Sequence, residues 1–485
     1  MNTDIKIKDL WYWTANFALL GSAFLSMYLN NAYPMLAVAL PLIMLDRAYI
    51  VPVLLFIACI EGSFKTEDSS SQAESTAIML AAPFFAYDYL QRNGKMVPFK
   101  FVMIFLGFGV FIIVGIMTFN MHHEIIEFLL PLMGKKGLSG MYLKMIMKAI
   151  KLCFFFLYLK VLINHRKDVL YRALTLIKDM APYLTILVLM NMLLFGSVSS
   201  KYETLHFGES HHGDFSANMN ALGVFLYISI FDVKTGWYKR IINLAALGCL
   251  LYIIMNLASR NGLLNFIVLG MLGGMLGLWN RNWGFKLTIV VTAMFAVGVA
   301  AYLFKDSPTV ERFIDMTEAG GGDRLNYWAA GIAALHEDPI FGLGGDESAS
   351  IFAVSKYAPG IDDHVMHNTF VEYAVEYGYV GFLFFMTVVC TILYHAYKNF
   401  MFAIKYNDIL LAAPSISYFI SIFAGLFISR VWESTLWYNM ILVFGIYILY
   451  RMPVEQAMKN RKISYIHGLP DPMEDPSLAY IPTNM

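Results

Sequence analysis

The sequence predicts an all-α fold: a polytopic transmembrane helix bundle of about 12–14 spans, with one long periplasmic loop containing short helices. Composition is the first ground. Of 485 residues, 58% are hydrophobic and only 14% charged, with a mean hydropathy of +0.59; so few ionic groups do not cover a water-soluble surface of this size. The second ground is a near-continuous row of apolar runs. Hydrocarbon offers no water to backbone N–H and C=O groups, so such runs must be helices of about 20 residues. The third is that Lys and Arg gather in alternate connections, as they do on the cytoplasmic side of a membrane.

In chain order the apolar runs fall near Trp11 to Leu29, Ala32 to Leu45, Ala48 to Ile60, Thr76 to Leu90, Phe99 to Phe119, Tyr142 to Ile163, Ala181 to Phe195, Phe215 to Phe231, Ile241 to Leu257, Leu263 to Trp279, Phe285 to Phe304, Thr369 to Tyr394, Ile409 to Ile428 and Thr435 to Tyr450. Lys6 and Lys8 before the first run resemble a signal sequence, but no small-residue cleavage pattern follows, so a retained span is expected. The second and third runs are short enough to be a re-entrant pair or one broken helix. Five stretches result: N-terminal spans over 1–196, middle spans over 197–304, a long loop over 305–368, C-terminal spans over 369–451 and a tail over 452–485. Pro470, Pro472, Pro476 and Pro482 give the end of that tail the composition of a disordered segment.

Basic connections at Arg47, Arg92/Lys95/Lys100, Arg166/Lys167, Lys234/Lys239/Arg240, Arg281/Lys286, Lys398/Lys405 and Arg451/Lys459 all fall on one side. Both termini are therefore expected in the cytoplasm, and the long loop outside. Lys+Arg 35 against Asp+Glu 35 leaves a net charge of zero, which speaks against a nucleic-acid partner. Each of Cys59, Cys153, Cys249 and Cys390 lies in an apolar run, where a thiol acts as a small hydrophobe.

The outer positive charges depart from the average and are the informative ones. Arg260 sits in a short break, Ala258-Ser259-Arg260-Asn261-Gly262. Arg324 follows the run Gly320-Gly321-Gly322, and Arg430 lies beside Trp432 and Glu433. A guanidinium fork binds two phosphate oxygens at once and never deprotonates, so the set suits a diphosphate at the outer leaflet. Equally, each Arg can reach headgroups or a neighbouring acid, Arg324 with Asp323 and Arg430 with Glu433. Lys144, Lys148 and Lys151 share one helical face, which fits a cavity for an anionic lipid head or an interfacial helix. His364 and His367, with Asn368, stand at the mouth of a span, where an imidazole can take a proton from a hydroxyl. His122/His123 and His211/His212 lack a third well-spaced ligand, and no metal is assigned.

In order, these pieces resemble the superfamily of O-antigen ligases and O-antigen polymerases, bacterial membrane glycosyltransferases. His367-Asn368, then nine residues, then Gly378-Tyr379-Val380-Gly381 is similar to the family's His-Asn with a spaced Gly-x-x-Gly. Arg260 through Leu264, Arg324 with Trp328, Pro339 through Gly344, and Phe215 through Gly223 with Asn220 resemble further landmarks, and Glu433 matches by place the family's last acidic position. The resemblance spans roughly Phe195 to Tyr450 and implies a metal-independent, cofactor-free, inverting transfer. The donor would be an undecaprenyl-diphosphate-linked glycan in the inner membrane, and the acceptor a sugar hydroxyl of lipid A-core or of a lipid-linked repeat unit. It implies catalytic roles for His367, Arg260 and Arg324, with Asn368, His364, Arg430, Glu433, Asn220, Lys144 and Lys148 binding substrate among membrane lipids. A transporter or flippase, gripping the same anion without chemistry, is the alternative from another class.

Overall fold

The computed structural model describes residues 3–61, 67–91, 96–132, 137–164, 167–195, 197–198, 205–206, 212–232, 234–257, 259–279, 286, 302–307, 309–311, 314, 324–344, 347–359, 366–428 and 434–467. Over these residues the chain is a helix bundle, as its apolar runs require. Helices α1 (Thr3–Leu29) and α2 (Tyr33–Leu45) form a hairpin whose turn is fixed by the Ser26 hydroxyl accepting from the Met35 N–H at 2.9 Å. Next, α3 (Ile50–Glu61) starts through a 3-10 turn at Arg47–Tyr49, where the Asp46 carboxylate accepts from the Ala48 N–H. At 13 and 12 residues, α2 and α3 reach only about 18–20 Å, well short of a hydrocarbon core of about 30 Å. They are two separate short helices, joined by the 3-10 turn, where the lengths left a re-entrant pair or one broken helix open. From Val51 to Ile60 every residue of α3 is buried, so it is packed in protein rather than facing lipid.

The bundle continues through α4 (Glu67–Gln91), α5 (Phe99–Met121), α6 (His123–Leu132), α7 (Gly137–Asn164), α8 (Lys167–Phe195), α9 (His212–Phe231), α10 (Trp237–Asn256) and α11 (Arg260–Leu278). Between α8 and α9, Ser197–Val198 pair antiparallel with Leu205–His206. Among the described residues, five helices are by themselves long and apolar enough to cross a membrane, and six shorter ones are apolar. The runs of the hydropathy pattern thus differ in length as helices, the second and third being among the short ones. Of the run from Phe285 to Phe304, only Lys286 and residues 302–304 are described.

The long loop contains α12 (Arg324–Glu337) and α13 (Glu347–Tyr357). Together with the end of α5, α6 and the start of α14 (Thr369–Lys405) they enclose a second, smaller core that includes Phe119, Ile125, Tyr327, Phe352, Met366 and Val375. This cap marks one end of the molecule, the outer one by the expected topology. Its opposite end is marked by Lys100, since the 23 residues of α5 cover about 34 Å.

After α15 (Ala413–Ala424) and α16 (Ser434–Ile446) comes a π turn at Tyr447–Arg451, then α17 (Met452–His467). The expected tail therefore opens as a helix. Val454 and Ala457 bury one face of it, and Glu455 pairs with Arg451 one turn back at 3.1 Å. The four tail prolines lie outside the described residues.

Candidate functional site

His367 begins the geometry of the site. Its φ is 50°, in the left-handed region that a β-carbon disfavours. The turn survives because its neighbours are held by separate elements. From α12, the Trp328 indole N–H donates to the Met366 carbonyl at 3.1 Å; from α13, the Ser350 hydroxyl accepts from the Met366 N–H at 3.0 Å. On the other flank the Thr369 N–H donates to the Gly425 carbonyl at 2.8 Å, and the Thr369 hydroxyl to the Ile428 carbonyl at 2.7 Å. Asn368 caps α14, its side-chain oxygen accepting from the N–H groups of Phe370 and Val371. Asn368 is only 6% exposed, so its part in the site is to start the helix behind His367.

A lock of glycines fixes the register of that helix against the cap. Gly378 interrupts α14 with φ 65° and ψ −171°, a conformation that is essentially glycine's alone. The bend frees two N–H groups, and the loop after α12 takes them: Tyr379 N–H donates to the Pro339 carbonyl at 2.7 Å and Val380 N–H to that of Ile340. In return the N–H groups of Leu343 and Gly344 donate to the carbonyls of Val375 and Glu376, at 2.8 and 2.9 Å. Gly342, at φ 71°, approaches so closely that an added β-carbon would lie 2.5 Å from the Gly378 nitrogen. Pro-x-x-Gly-x-Gly and Gly-x-x-Gly are therefore two halves of one backbone joint, with no side chain of their own in the chemistry.

Arg324 opens α12, half-buried. Three and four residues further on, Tyr327 places its ring centroid 6.5 Å from that of His367 and Trp328 holds the carbonyl beside it. Residues at those spacings share a helix face, so Arg324 ends the face that is pressed on the His367 turn.

Arg260 opens α11 on the other side. Ser259 caps that helix by accepting from the Gly262 N–H at 3.0 Å, and its hydroxyl meets that of Ser216 on α9 at 2.8 Å. Asn220, completely buried, donates from one amide nitrogen to the carbonyls of both Ser216 and Gly262. Asn220 thus rivets α9 to α11 beneath Arg260. Beside Ser216, Ala217 packs against Ala424 and Ile428, the segment that holds Thr369. Arg260, Arg324 and His367 are in this way brought to one end of the bundle through named contacts.

The remaining sequence candidates divide. His364, Arg430 and Glu433 lie outside the described residues, and so does the side chain of Lys144. Lys148 is 8% exposed and lies within electrostatic reach of Tyr373 on α14, which fits an inward-facing cation and not a surface stripe. His122 pairs with Asp338 at 3.3 Å, across the seam between α5 and the glycine loop. Among the described residues no three His, Cys, Asp or Glu side chains are grouped to hold a metal ion. Sequence reasoning passed over Glu372 and Glu376, each 4% exposed and one turn apart on α14. An acidic side chain inside a span marks a functional position by default, and that rule would have found them. At the cap's rim, Lys356 donates to Glu337 at 2.9 Å and lies 3.7 Å from Glu124. The nearby Tyr357 hydroxyl and the bonded Lys356 ammonium hold the Glu337 carboxyl below its ordinary value.

A helical membrane protein whose Arg260, Arg324 and constrained His367 lie toward the end of the bundle that carries a two-helix cap is the class this geometry defines. Residues 245–386 match the family described as O-antigen ligase, which supports the resemblance to the O-antigen ligase and polymerase superfamily. The match holds Arg260, Arg324, His367 and the glycine joint. A comparison with curated proteins found no match.

Proposed function

We propose that the protein is a membrane glycosyltransferase of surface polysaccharide assembly, moving a glycan from undecaprenyl diphosphate to an acceptor sugar hydroxyl at the periplasmic face, with both termini cytoplasmic. One observation carries the reading: His367 is kept at a positive φ at a cost of about 1–3 kcal/mol. Six hydrogen bonds to Met366, Asn368 and Thr369 could have been made without an imidazole between them; strain that a fold maintains at one polar residue marks a working group.

In the proposed step the acceptor hydroxyl oxygen forms a bond to the anomeric carbon from the face opposite the diphosphate. The bond from that carbon to the phosphate oxygen breaks, its electron pair staying on the diphosphate, and the hydroxyl proton passes to His367. The result is inversion. Charge grows on the leaving diphosphate, and Arg260 and Arg324 stabilise it in a site of low dielectric better than water would. Neither a metal nor a cofactor is part of the step. Asn220 and Asn368 act by positioning Arg260 and His367, while Lys148, Lys144, His364, Arg430 and Glu433 are proposed as contacts to the glycan or the lipid diphosphate.

The test is transfer by purified protein in liposomes, following loss of the lipid-linked glycan and release of undecaprenyl diphosphate. Turnover is expected from the wild type, and Arg260→Lys, which keeps the charge and loses the fork, is expected to be about tenfold slower. Transport of intact donor without release of the diphosphate would overturn the proposal in favour of a flippase. A deletion strain separates the two products: single-repeat lipopolysaccharide indicates a lost polymerase, and unsubstituted core with free lipid-linked chains a lost ligase.

A further inference from the structure

The end of the bundle opposite His367 carries a cluster of charges that the proposed chemistry does not use. Arg451 is 4% exposed; its guanidinium donates to the His395 carbonyl at 3.1 Å and to Asn399 Oδ1 at 2.9 Å, and lies 2.8 Å from His395 Nδ1. On the other side of the same imidazole, Lys100 Nζ stands 3.3 Å from Nε2. A neutral imidazole has one acceptor nitrogen. Arg451, a permanent donor, takes it at Nδ1, so Nε2 carries the hydrogen and offers Lys100 no lone pair. The ammonium is steadied instead by rings, 4.3 Å from the centroid of Tyr447 and 4.8 Å from that of Phe101. Glu455 pairs with Arg451, and among the described residues no carboxylate lies in ion-pair range of Lys100. Lys100 is exposed, and its three donors call for an external anion.

Directly beyond Lys100 runs a groove of about 490 Å³, walled by Met103, Leu106 and Val110 of α5 and by Phe384, Thr387 and Thr391 of α14. Its length, eleven residues of α5 from Lys100 to Val110, is about 16 Å, the depth of one leaflet's hydrocarbon. Both threonine hydroxyls are spent within their own helix, on the carbonyls of Leu383 and Thr387 at 2.7 Å, so the walls are effectively apolar. A positive charge at the mouth and an apolar channel one leaflet deep complement an amphiphile with an anionic head and a long chain.

We infer that Lys100 and this groove form a binding site for an acidic glycerophospholipid of the adjacent leaflet, its phosphate on Lys100 and one acyl chain between α5 and α14. The site lies at the other membrane face from His367 and is independent of the glycan chemistry. The test is native mass spectrometry of the full chain released from nanodiscs of phosphatidylglycerol and phosphatidylcholine in equal parts. Wild type is expected to keep phosphatidylglycerol in preference, and Lys100→Ala to keep about fivefold less of it, the effect of one basic residue near an anionic surface. Leu106→Trp, which fills the groove and leaves the ammonium, is expected to lose the same lipid, whereas Lys398→Ala retains it. Equal retention of the two lipids by wild type, or undiminished retention by either Lys100→Ala or Leu106→Trp, would overturn the inference. So would protein extracted from cells carrying the mass of a polyprenyl phosphate in place of the phospholipid.

Discussion

The two ends of α14 solve the same problem by different means. At the outer end the chain is held by its backbone: the left-handed turn at His367, the Asn368 cap and the carbonyl exchange around Gly378. At the inner end side chains do the holding, with Arg451 tying His395 to Asn399 and Asn399 in turn donating to the Val443 carbonyl at 2.8 Å. Main-chain fixation sets where His367, Arg324 and Arg260 stand by bonds to the residues beside them. The inner cluster consumes its guanidinium in structure. The contrast teaches that a polar side chain in a membrane bundle is read by what holds its neighbours, and only then by its own charge.

Four measurements sharpen or break that contrast. The largest effect is expected from His367→Ala: glycan transfer should fall by about two to four powers of ten, as when a general base is removed, with insertion and thermal stability unchanged. His367→Asn, which tolerates the same left-handed backbone, should be equally inactive; a retained rate in either would end the assignment of the base. Next, Arg451→Gln should cost stability, about 1.5–3 kcal/mol, because the His395 carbonyl and Asn399 lose a buried charged donor. A lowered melting temperature, with transfer per folded molecule preserved, would place the inner cluster in the scaffold. Third, Gly378→Ala should destabilise by about 1–3 kcal/mol through backbone strain, and further because its β-carbon would collide with the Ile340 carbonyl; hydrogen exchange should rise in both 339–344 and 375–380, since each segment holds the other.

The smallest effect concerns the rim of the cap. Glu337 has its carboxyl held below the ordinary 4.5 by Tyr357 and Lys356. Its contribution to folding is therefore present above that ordinary value and is lost as pH falls through the lowered one. Exchange protection of α13 is expected to be flat at neutral pH and to decline only in acid below the ordinary carboxylate range, and Glu337→Gln should remove that decline. A loss of protection beginning near neutrality would break the assignment to Glu337.

Much of the bundle could be read from the sequence because hydrocarbon imposes a simple demand on every spanning segment. Apolar length, however, does not say where a helix breaks: Asp46 caps and Gly378 bends, and neither changes the hydropathy of its surroundings. Arg260, Arg324 and His367 stood out by chemistry, being ionisable groups at the margins of apolar runs. The work of the motif glycines was not legible, since Gly342 and Gly378 meet across a distance that no local spacing encodes. Glu372 and Glu376 were passed over, and Lys100 and Arg451 counted only as basic connections, for a related reason; each sits within or just at the end of an apolar segment, and what it faces is decided by a partner helix far away in the chain.

The joint between residues 339–344 and the Gly378 bend also bears on how the lipid-linked donor of the proposed reaction would get in. A lid that swung open would have to break four main-chain bonds here as well as the Trp328 and Ser350 links. Entry sideways, straight from the surrounding bilayer, asks for none of these to open, and a spin label on α12 paired with one on α14 should report a single unchanging separation through the whole turnover cycle.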